Sequence, residues 1–298
     1  MDPLPCPHEH VRKAQGRYLC ISCGSEVDSH HRTPVAATLG AHPVVPPVIN
    51  LLWGLPTRGL RVLSITLPLA VLVLMTMPLA HLVTYALGTL CHEMGHSTIA
   101  ILTGHLAVPT FDLAQGGGLT HVFERQWWLL IALALVTAHT AFRYRESKII
   151  RNLCGVGAGT SIFLILTGLD EPLHVEMGHG GQLVAGGIFL YRGLTGIAEI
   201  YPGERWLYGF LGWSLIYDVV ALCWSLTHDP VALAVYFEGK SSCANDFVRL
   251  ADYFGTSVEC ISWVNFLFAV AVPLIVSGMF LLLKRYPNLS PWHNVGAQ

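Results

Sequence analysis

The hydrophobic and polar positions of this chain form long apolar runs separated by short polar loops. Windows without any Asp, Glu, Lys or Arg cover residues 62–91, 127–142, 152–169, 177–191 and 261–283. A helix that crosses a bilayer needs about 20 mostly apolar residues, with a range of about 17–25. The pattern therefore predicts an all-α polytopic membrane protein.

Extending these windows to their polar flanks predicts about six to seven membrane helices. The expected spans are residues 61–77, 79–103, 127–142, 149–167, 181–200, 206–226 and 261–283. Pro78 separates the first two, because proline lacks the backbone donor that a helix interior requires. Residues 105–126, HLAVPTFDLAQGGGLTHVFERQ, are expected to form a loop or a short hairpin. Basic loops are expected on the cytoplasmic side of a membrane. If every predicted span crossed the membrane, the basic loops and the N-terminus could not all lie on that side. A re-entrant segment, which enters and leaves the membrane on the same side, would remove this conflict.

The overall composition supports a membrane location and excludes one class of partner. Hydrophobic residues make up 53% of the 298 residues and charged residues only 12%, whereas soluble domains carry about 25% charged residues. The formal net charge of −2 says nothing about partners, and no basic run suggests nucleic acid, so no nucleic-acid partner is expected. The lipid bilayer is the partner that the composition predicts.

The ends of the chain differ from the apolar middle and suggest four regions. We predict a small module over residues 1–33, a Pro-rich linker over 34–60, a membrane domain over 61–286 and a tail over 287–298. The first sixty residues lack an apolar stretch behind a basic start, which is not the pattern of a cleaved signal peptide.

The N-terminal module contains a candidate structural zinc site. Cys20 and Cys23 form a Cys-x-x-Cys knuckle, and Cys6 with His8 (or His10) would complete a closed tetrahedral site. So short a segment cannot bury a core, and a metal would supply its folding energy. Alternatively, the segment is a disordered tail with incidental cysteines.

A second candidate site lies inside an apolar run, in the stretch ALGTLCHEMGHSTIAILTG. Glu93 is the only formal charge between Arg61 and Asp112. On a helix, His92 and His96 lie one turn apart on one face and can share a metal ion. Zinc lowers the pKa of a bound water from 15.7 to about 7, and Glu93 could take up its proton. Because an ionisable group inside a membrane costs at least about 2.5 kcal/mol, these residues predict a catalytic zinc site.

The third ligand of this site is sought in the stretch LDEPLHVEMGHGGQL. His179 is the preferred candidate, since it is expected at the start of a glycine-rich helix that faces the bundle. Asp170, His174 and Glu176 are rivals in the same stretch. Gln182 could be a ligand or could support one from one turn further on, and Asp170 is a second candidate for such support.

The quoted motifs resemble a known family of membrane enzymes. HEMGHSTIAILTG followed by FDLAQGGGLTHV, approximately residues 79–122, resembles the site-2 protease family of membrane-embedded zinc metallopeptidases. The later block MGHGGQLVAGGIFLYRGLTG is similar to one in uncharacterised prokaryotic members. The family's usual third ligand is an Asp in an Asn-Pro-Asp-Gly or Leu-Asp-Gly context, and that motif is absent here. Residues 169–172, LDEP, match the Leu-Asp-Gly motif only in their first two positions.

The resemblance implies an intramembrane zinc metalloprotease that cleaves membrane proteins or peptides. It implies Glu93 as general base and a substrate strand beside Gly116, Gly117 and Gly118, where main chain could be approached closely. It also implies a multi-pass protein of a prokaryotic inner membrane, and we expect the N-terminal module to be cytosolic. The expected cofactors are one catalytic and one structural zinc ion.

Two other functions remain open from the sequence. A zinc transporter family also carries a His-Glu-x-x-His-like run in a membrane helix, but would need further ligands on a neighbouring helix. A catalytically inactive relative that binds membrane clients is the other alternative, against which the intact Glu93 argues. The polar segment between Cys243 and Cys260 predicts an amphipathic surface helix, and these cysteines form a disulfide or remain free thiols.

Overall fold

The computed structural model describes residues 11–14, 17–20, 57–111, 117–197, 199–201, 203–238 and 245–285. The chain divides into two compact units, Met1–Ile49 and Asn50–Gln298. In the first unit, β1 (Val11–Ala14) pairs antiparallel with β2 (Arg17–Cys20). The side chains of the proposed N-terminal ligands, Cys6, His8, Cys20 and Cys23, lie outside the described part of the chain, so that zinc site stays a prediction.

The second unit is mostly helical and contains one further hairpin. Its elements are α1 (Thr57–Thr76), α2 (Pro78–Leu102), β3 (His105–Phe111), β4 (Gly118–Arg125), α3 (Trp127–Arg143), α4 (Lys148–Thr167), α5 (Asp170–Thr195), α6 (Glu204–His228), α7 (Pro230–Glu238), α8 (Asp246–Phe254) and α9 (Val258–Arg285). The predicted helical class is therefore right for most of this unit. An all-α description is wrong in one respect, because β3 and β4 form an antiparallel sheet between α2 and α3.

Three of the described helices are long and apolar enough to cross a membrane, and they lie in α4, α6 and α9. The α1–α2 pair would make a fourth span if it counts as one, and it bends by 110° at the break. The bend falls where Met77 is extended and Pro78 begins α2, since the residue before a proline avoids helical geometry. At 17 residues, α3 is a shorter apolar helix.

The core of the unit lies where α5 packs against α6, α8 and α9. Leu190 of α5, Leu215 of α6 and Phe247 of α8 are all fully buried. A Cβ on Gly212 would lie 2.9 Å from the carbonyl oxygen of Gly186, so α5 and α6 approach closely at a pair of glycines. These contacts place α5 at the centre of the unit.

An even closer crossing joins α5 to α2. A Cβ on Gly95 would overlap the carbonyl oxygen of Met177, and one on Gly181 would lie 2.6 Å from the Cα of Gly95. Small residues of this kind allow two helix backbones to touch, which favours packing in a membrane by van der Waals contact. The crossing presses α5 against the face of α2 that carries the histidine pair.

The start of α5 corrects the expected position of His179. The sequence predicts a span over residues 181–200, with His179 close to its start. In the structure the helix begins at Asp170. Asp170 and Glu171 occupy its first turn, where negative charge interacts favourably with the helix dipole. His179 consequently lies more than two turns inside the helix.

The segment between Cys243 and Cys260 forms the predicted amphipathic helix, but one face of it is deeply buried. Phe247, Leu250 and Ala251 of α8 are almost inaccessible to solvent. Cys260 is exposed and free, whereas Cys243 lies outside the described residues. Arg249 and Asp252 on the other face of α8 are exposed, so the helix is amphipathic as predicted.

We predict that Gly95→Ala destabilises the protein by more than about 2 kcal/mol, because overpacking typically costs about 1–3 kcal/mol and the added methyl meets rigid backbone. Gly157→Ala in α4 is the matched control, since nothing lies within 4 Å of its added Cβ. Thermal unfolding of both variants in detergent would measure the difference. Equal melting temperatures would contradict the glycine crossing.

Candidate metal centre

A large cavity opens beside the α2–α5 crossing. Its volume is about 1940 Å³, and it is lined by residues of α2, β4, α5, α6 and α8. The predicted residues His92, Glu93, His96, His179 and Gln182 all line it. The cavity therefore brings together most of the predicted membrane site.

The two motif histidines lie one turn apart on α2, as their spacing predicts. Their Nε2 atoms are 3.0 Å apart, and His96 Nδ1 lies 2.7 Å from the backbone carbonyl oxygen of His174. Because a carbonyl can only accept a hydrogen bond, Nδ1 carries the proton of a neutral His96 ring. Its Nε2 is then free to bind a metal, as in many metal-ligating histidines that donate their other N–H to a carbonyl.

Asp246, the first residue of α8, completes this group and was not predicted. Its Oδ2 lies 2.9 Å from His92 Nε2 and 3.2 Å from His96 Nε2. The burial of Phe247, the next residue, anchors the start of α8 at this place. In the sequence, Asp246 is recognisable only as a carboxylate at the start of a predicted amphipathic helix. Its separation from His92 and His96 along the chain does not indicate that the three side chains meet.

Burial by itself would raise the pKa of Asp246. The hydrogen bonds and charges of the His92 and His96 imidazoles outweigh this effect and hold the pKa well below its ordinary value. Asp246 is therefore ionised at neutral pH and offers a carboxylate oxygen to a cation.

The donor set fits a zinc ion. His92 Nε2, His96 Nε2 and Asp246 Oδ2 lie within 3.2 Å of one another. Imidazole N–H groups can donate to the Asp246 carboxylate, and when both Nε2 atoms are unprotonated the same three atoms can share a cation. Ligands at the usual zinc distances of about 2.0–2.1 Å lie roughly 3.3 Å apart around a tetrahedral ion. Their spacing is thus close to that of three tetrahedral ligands with a fourth position left for water or substrate.

His179 lies next to this group rather than within it. Its ring centroid is 4.5 Å from that of His92, and its side chain is 8% exposed. One His179 nitrogen lies within 4.8 Å of the ligand atoms of His92 and Asp246, and its buried Nδ1 has no hydrogen-bond partner among the described residues. Gly178 permits this approach, since a Cβ there would lie 2.5 Å from His96 Nε2. The predicted role of His179 as third ligand stays a prediction, and Asp246 is a second candidate for that role.

Glu93 is buried between α2 and β4. Thr120 Oγ1 donates a hydrogen bond of 2.6 Å to Glu93 Oε2 and one of 3.1 Å to its backbone oxygen. A Cβ on Gly118 would overlap the Glu93 side chain, so a glycine is required where the strand passes it. Gly117 has a φ of 137°, which favours glycine, and Gly116 lies outside the described residues.

The other predicted candidates have different partners. Asp170 forms an ion pair with Arg125 of β4, and its Oδ2 lies 3.7 Å from His105 Nε2. Glu176 accepts a hydrogen bond of 3.2 Å from Asn265 of α9. Gln182 donates one of 3.2 Å to the backbone oxygen of Leu215. These contacts connect α5 to the hairpin, to α9 and to α6, and none of the three is in the Asp246 group.

Comparison with known proteins adds no relative: no family model, curated protein or solved structure matches this chain. The similarity to site-2 proteases stays a prediction that rests on the residues quoted above. The support for a metal centre comes from the positions of His92, His96 and Asp246 in the structure.

We expect the zinc content of purified variants to identify the membrane ligands. Cys20→Ser/Cys23→Ser should remove the N-terminal site and leave one zinc ion per chain. In that background, His92→Ala/His96→Ala should abolish zinc binding, and Asp246→Ala should weaken it by more than the roughly 10–100-fold typical of outer-shell partners. Elemental mass spectrometry with a chelator titration measures both effects.

Asp252→Ala, an exposed position on the same helix, is the control and should bind zinc normally. The reverse pattern, in which Asp246→Ala keeps its zinc and His179→Ala loses it, would make His179 the third ligand.

Proposed function

We propose that this protein is an intramembrane zinc metalloprotease that hydrolyses peptide bonds of membrane-associated substrates. The observation that supports this proposal best is the contact of three ligand atoms, from His92, His96 and Asp246, beside a separate buried carboxylate. Glu93 is not needed to complete the ligand triad. A carboxylate beside two histidines and a third ligand is the arrangement that metallopeptidase chemistry requires.

His92, His96 and Asp246 would hold the zinc ion. Once bound, zinc would supply a Lewis acid for the scissile carbonyl and an activated water at neutral pH. The contact of His96 with the His174 carbonyl would keep its ring in the orientation for binding. His179, buried beside His92 and Phe247, would limit the access of bulk water.

Glu93 would act as the proton carrier. It would accept a proton from the attacking water and pass it to the leaving amine, a role that requires a carboxylate close to the substrate but not bound to the metal. Thr120 holds one of its oxygens through a 2.6 Å hydrogen bond. The side chain is 5% exposed, which keeps the proton from exchanging freely with solvent.

The hairpin would present the substrate. Among the described strands, β4 pairs only with β3, and Gly117, Gly118 and Thr120 line the cavity. An extended peptide could add to β4 through backbone hydrogen bonds, which is a common mode of peptide recognition. Its scissile bond would then lie next to Glu93.

We further propose a multi-pass topology in the inner membrane of a prokaryote. In this arrangement α3 and α5 would lie in the membrane together with the three membrane-length helices and the bent α1–α2 pair, giving about six to seven membrane segments. The N-terminal module would be cytosolic and would bind a structural zinc through Cys6, His8, Cys20 and Cys23.

We predict that Glu93→Gln lowers proteolysis by about 10²–10⁴-fold, the usual contribution of general acid–base catalysis, while the zinc content remains unchanged. Global mapping of new protein N-termini in cells that produce the wild type or the variant would measure the loss. Glu146→Gln is the matched control, since its side chain is 94% exposed in a loop.

Identical sets of N-termini with the wild type and Glu93→Gln would contradict the proposed activity. A set that disappears with Glu93→Gln but persists with Glu146→Gln would also name substrates directly.

A further inference from the structure

A second carboxylate lies in the same cavity, outside the metal centre. Asp218 is a half-buried residue of α6, one of the three membrane-length helices, and it lines the cavity. An ionisable side chain at such a place is costly, at least about 2.5 kcal/mol near the middle of a bilayer. Retaining it therefore requires a compensating interaction.

The described residues provide that interaction only in part. None of their donors or cationic groups forms a hydrogen bond or an ion pair with the Asp218 carboxylate. The neighbouring amide of Gln182 donates to Leu215 instead. His81 of α2 lines the same cavity and influences Asp218 only electrostatically. Asp218 thus offers acceptor atoms to whatever enters the cavity.

Gly88 lets Asp218 lie close to α2 near the metal centre. A Cβ on Gly88 would lie 3.4 Å from Asp218 Oδ2 and 3.2 Å from Gln182 Nε2, so the absence of a side chain leaves room for both groups beside α2. Gly88 precedes His92 by four residues, one helical turn along the same helix face. A substrate side chain bound by Asp218 would therefore belong to a residue close to the scissile bond.

We propose that Asp218 is a specificity-determining residue that binds a lysine or arginine side chain of the substrate, close to the scissile bond. This inference rests on the proposed protease function. Hydrogen bonds to a charged partner are stronger than neutral ones, and a cation would compensate for the buried charge of Asp218. The protein would thereby prefer substrates with a basic residue close to the cleavage site.

Peptide hydroxamates, which attach to zinc, test this preference without cleavage. Two series would extend from the hydroxamate toward either side of the scissile bond, and each would contain a matched pair with lysine or uncharged norleucine close to the hydroxamate. Dissociation constants would be measured on the zinc-loaded full-length protein in detergent. We expect the lysine member of one series to bind at least about tenfold more tightly than its norleucine partner.

The preference should depend on Asp218 alone. In Asp218→Asn the lysine-to-norleucine ratio should fall close to one, while the affinity for the norleucine peptide and the zinc content stay unchanged. Asp218→Ser is a second variant for the case that the first does not fold. Asp229→Asn, at an exposed position just after α6, is the control and should keep the wild-type ratio.

The outcomes separate the two proposals. Tight binding of both peptides with equal affinity in both series would overturn the role of Asp218 and leave the protease proposal standing. A lysine preference that survives in Asp218→Asn would overturn it as well. If no hydroxamate binds the zinc-loaded protein, the protease proposal fails and this inference fails with it.

Discussion

The backbone contact between α2 and α5 is the constraint on which the site depends. At Gly95 and Gly181 the two helices are so close that a single added methyl on either would meet backbone atoms of the other. The cavity residues that α5 supplies, His179 and Gln182 among them, are positioned by this contact. Packing of this kind suits a membrane, where helix association relies on close van der Waals contact rather than on the hydrophobic effect.

The candidate metal centre combines two residues of one helix, His92 and His96, with Asp246 of a different helix. His92 and His96 are neighbours by helix geometry alone, whereas Asp246 reaches them because the apolar side of α8 is buried against the core. This arrangement keeps three potential ligand atoms within 3.2 Å of one another, so the packing of α8 prepares the candidate site for a metal ion.

The hairpin connects the buried carboxylate of Glu93 to the rest of the fold. Thr120 and Gly118 of β4 contact Glu93, and at the other end of the strand Arg125 forms an ion pair with Asp170 at the start of α5. The strand is therefore held at both ends next to the cavity. A predicted ligand, Asp170, instead helps to position the hairpin.

Local chemistry explains which features could be predicted from the sequence. The apolar runs, the break at Pro78 and the facing histidines of HEMGH follow from side-chain character and from the 3.6-residue period of a helix. The position of Asp246 and the grouping of Asp218 with Gly88 and Gln182 have no such local signature. They depend on how helices far apart in the chain pack, and helical periodicity carries no information about the partner that a helix face will meet. The sequence by itself therefore determined the helices and the facing histidine pair, and only the tertiary structure decided which carboxylate lies against that pair and which lies elsewhere in the cavity.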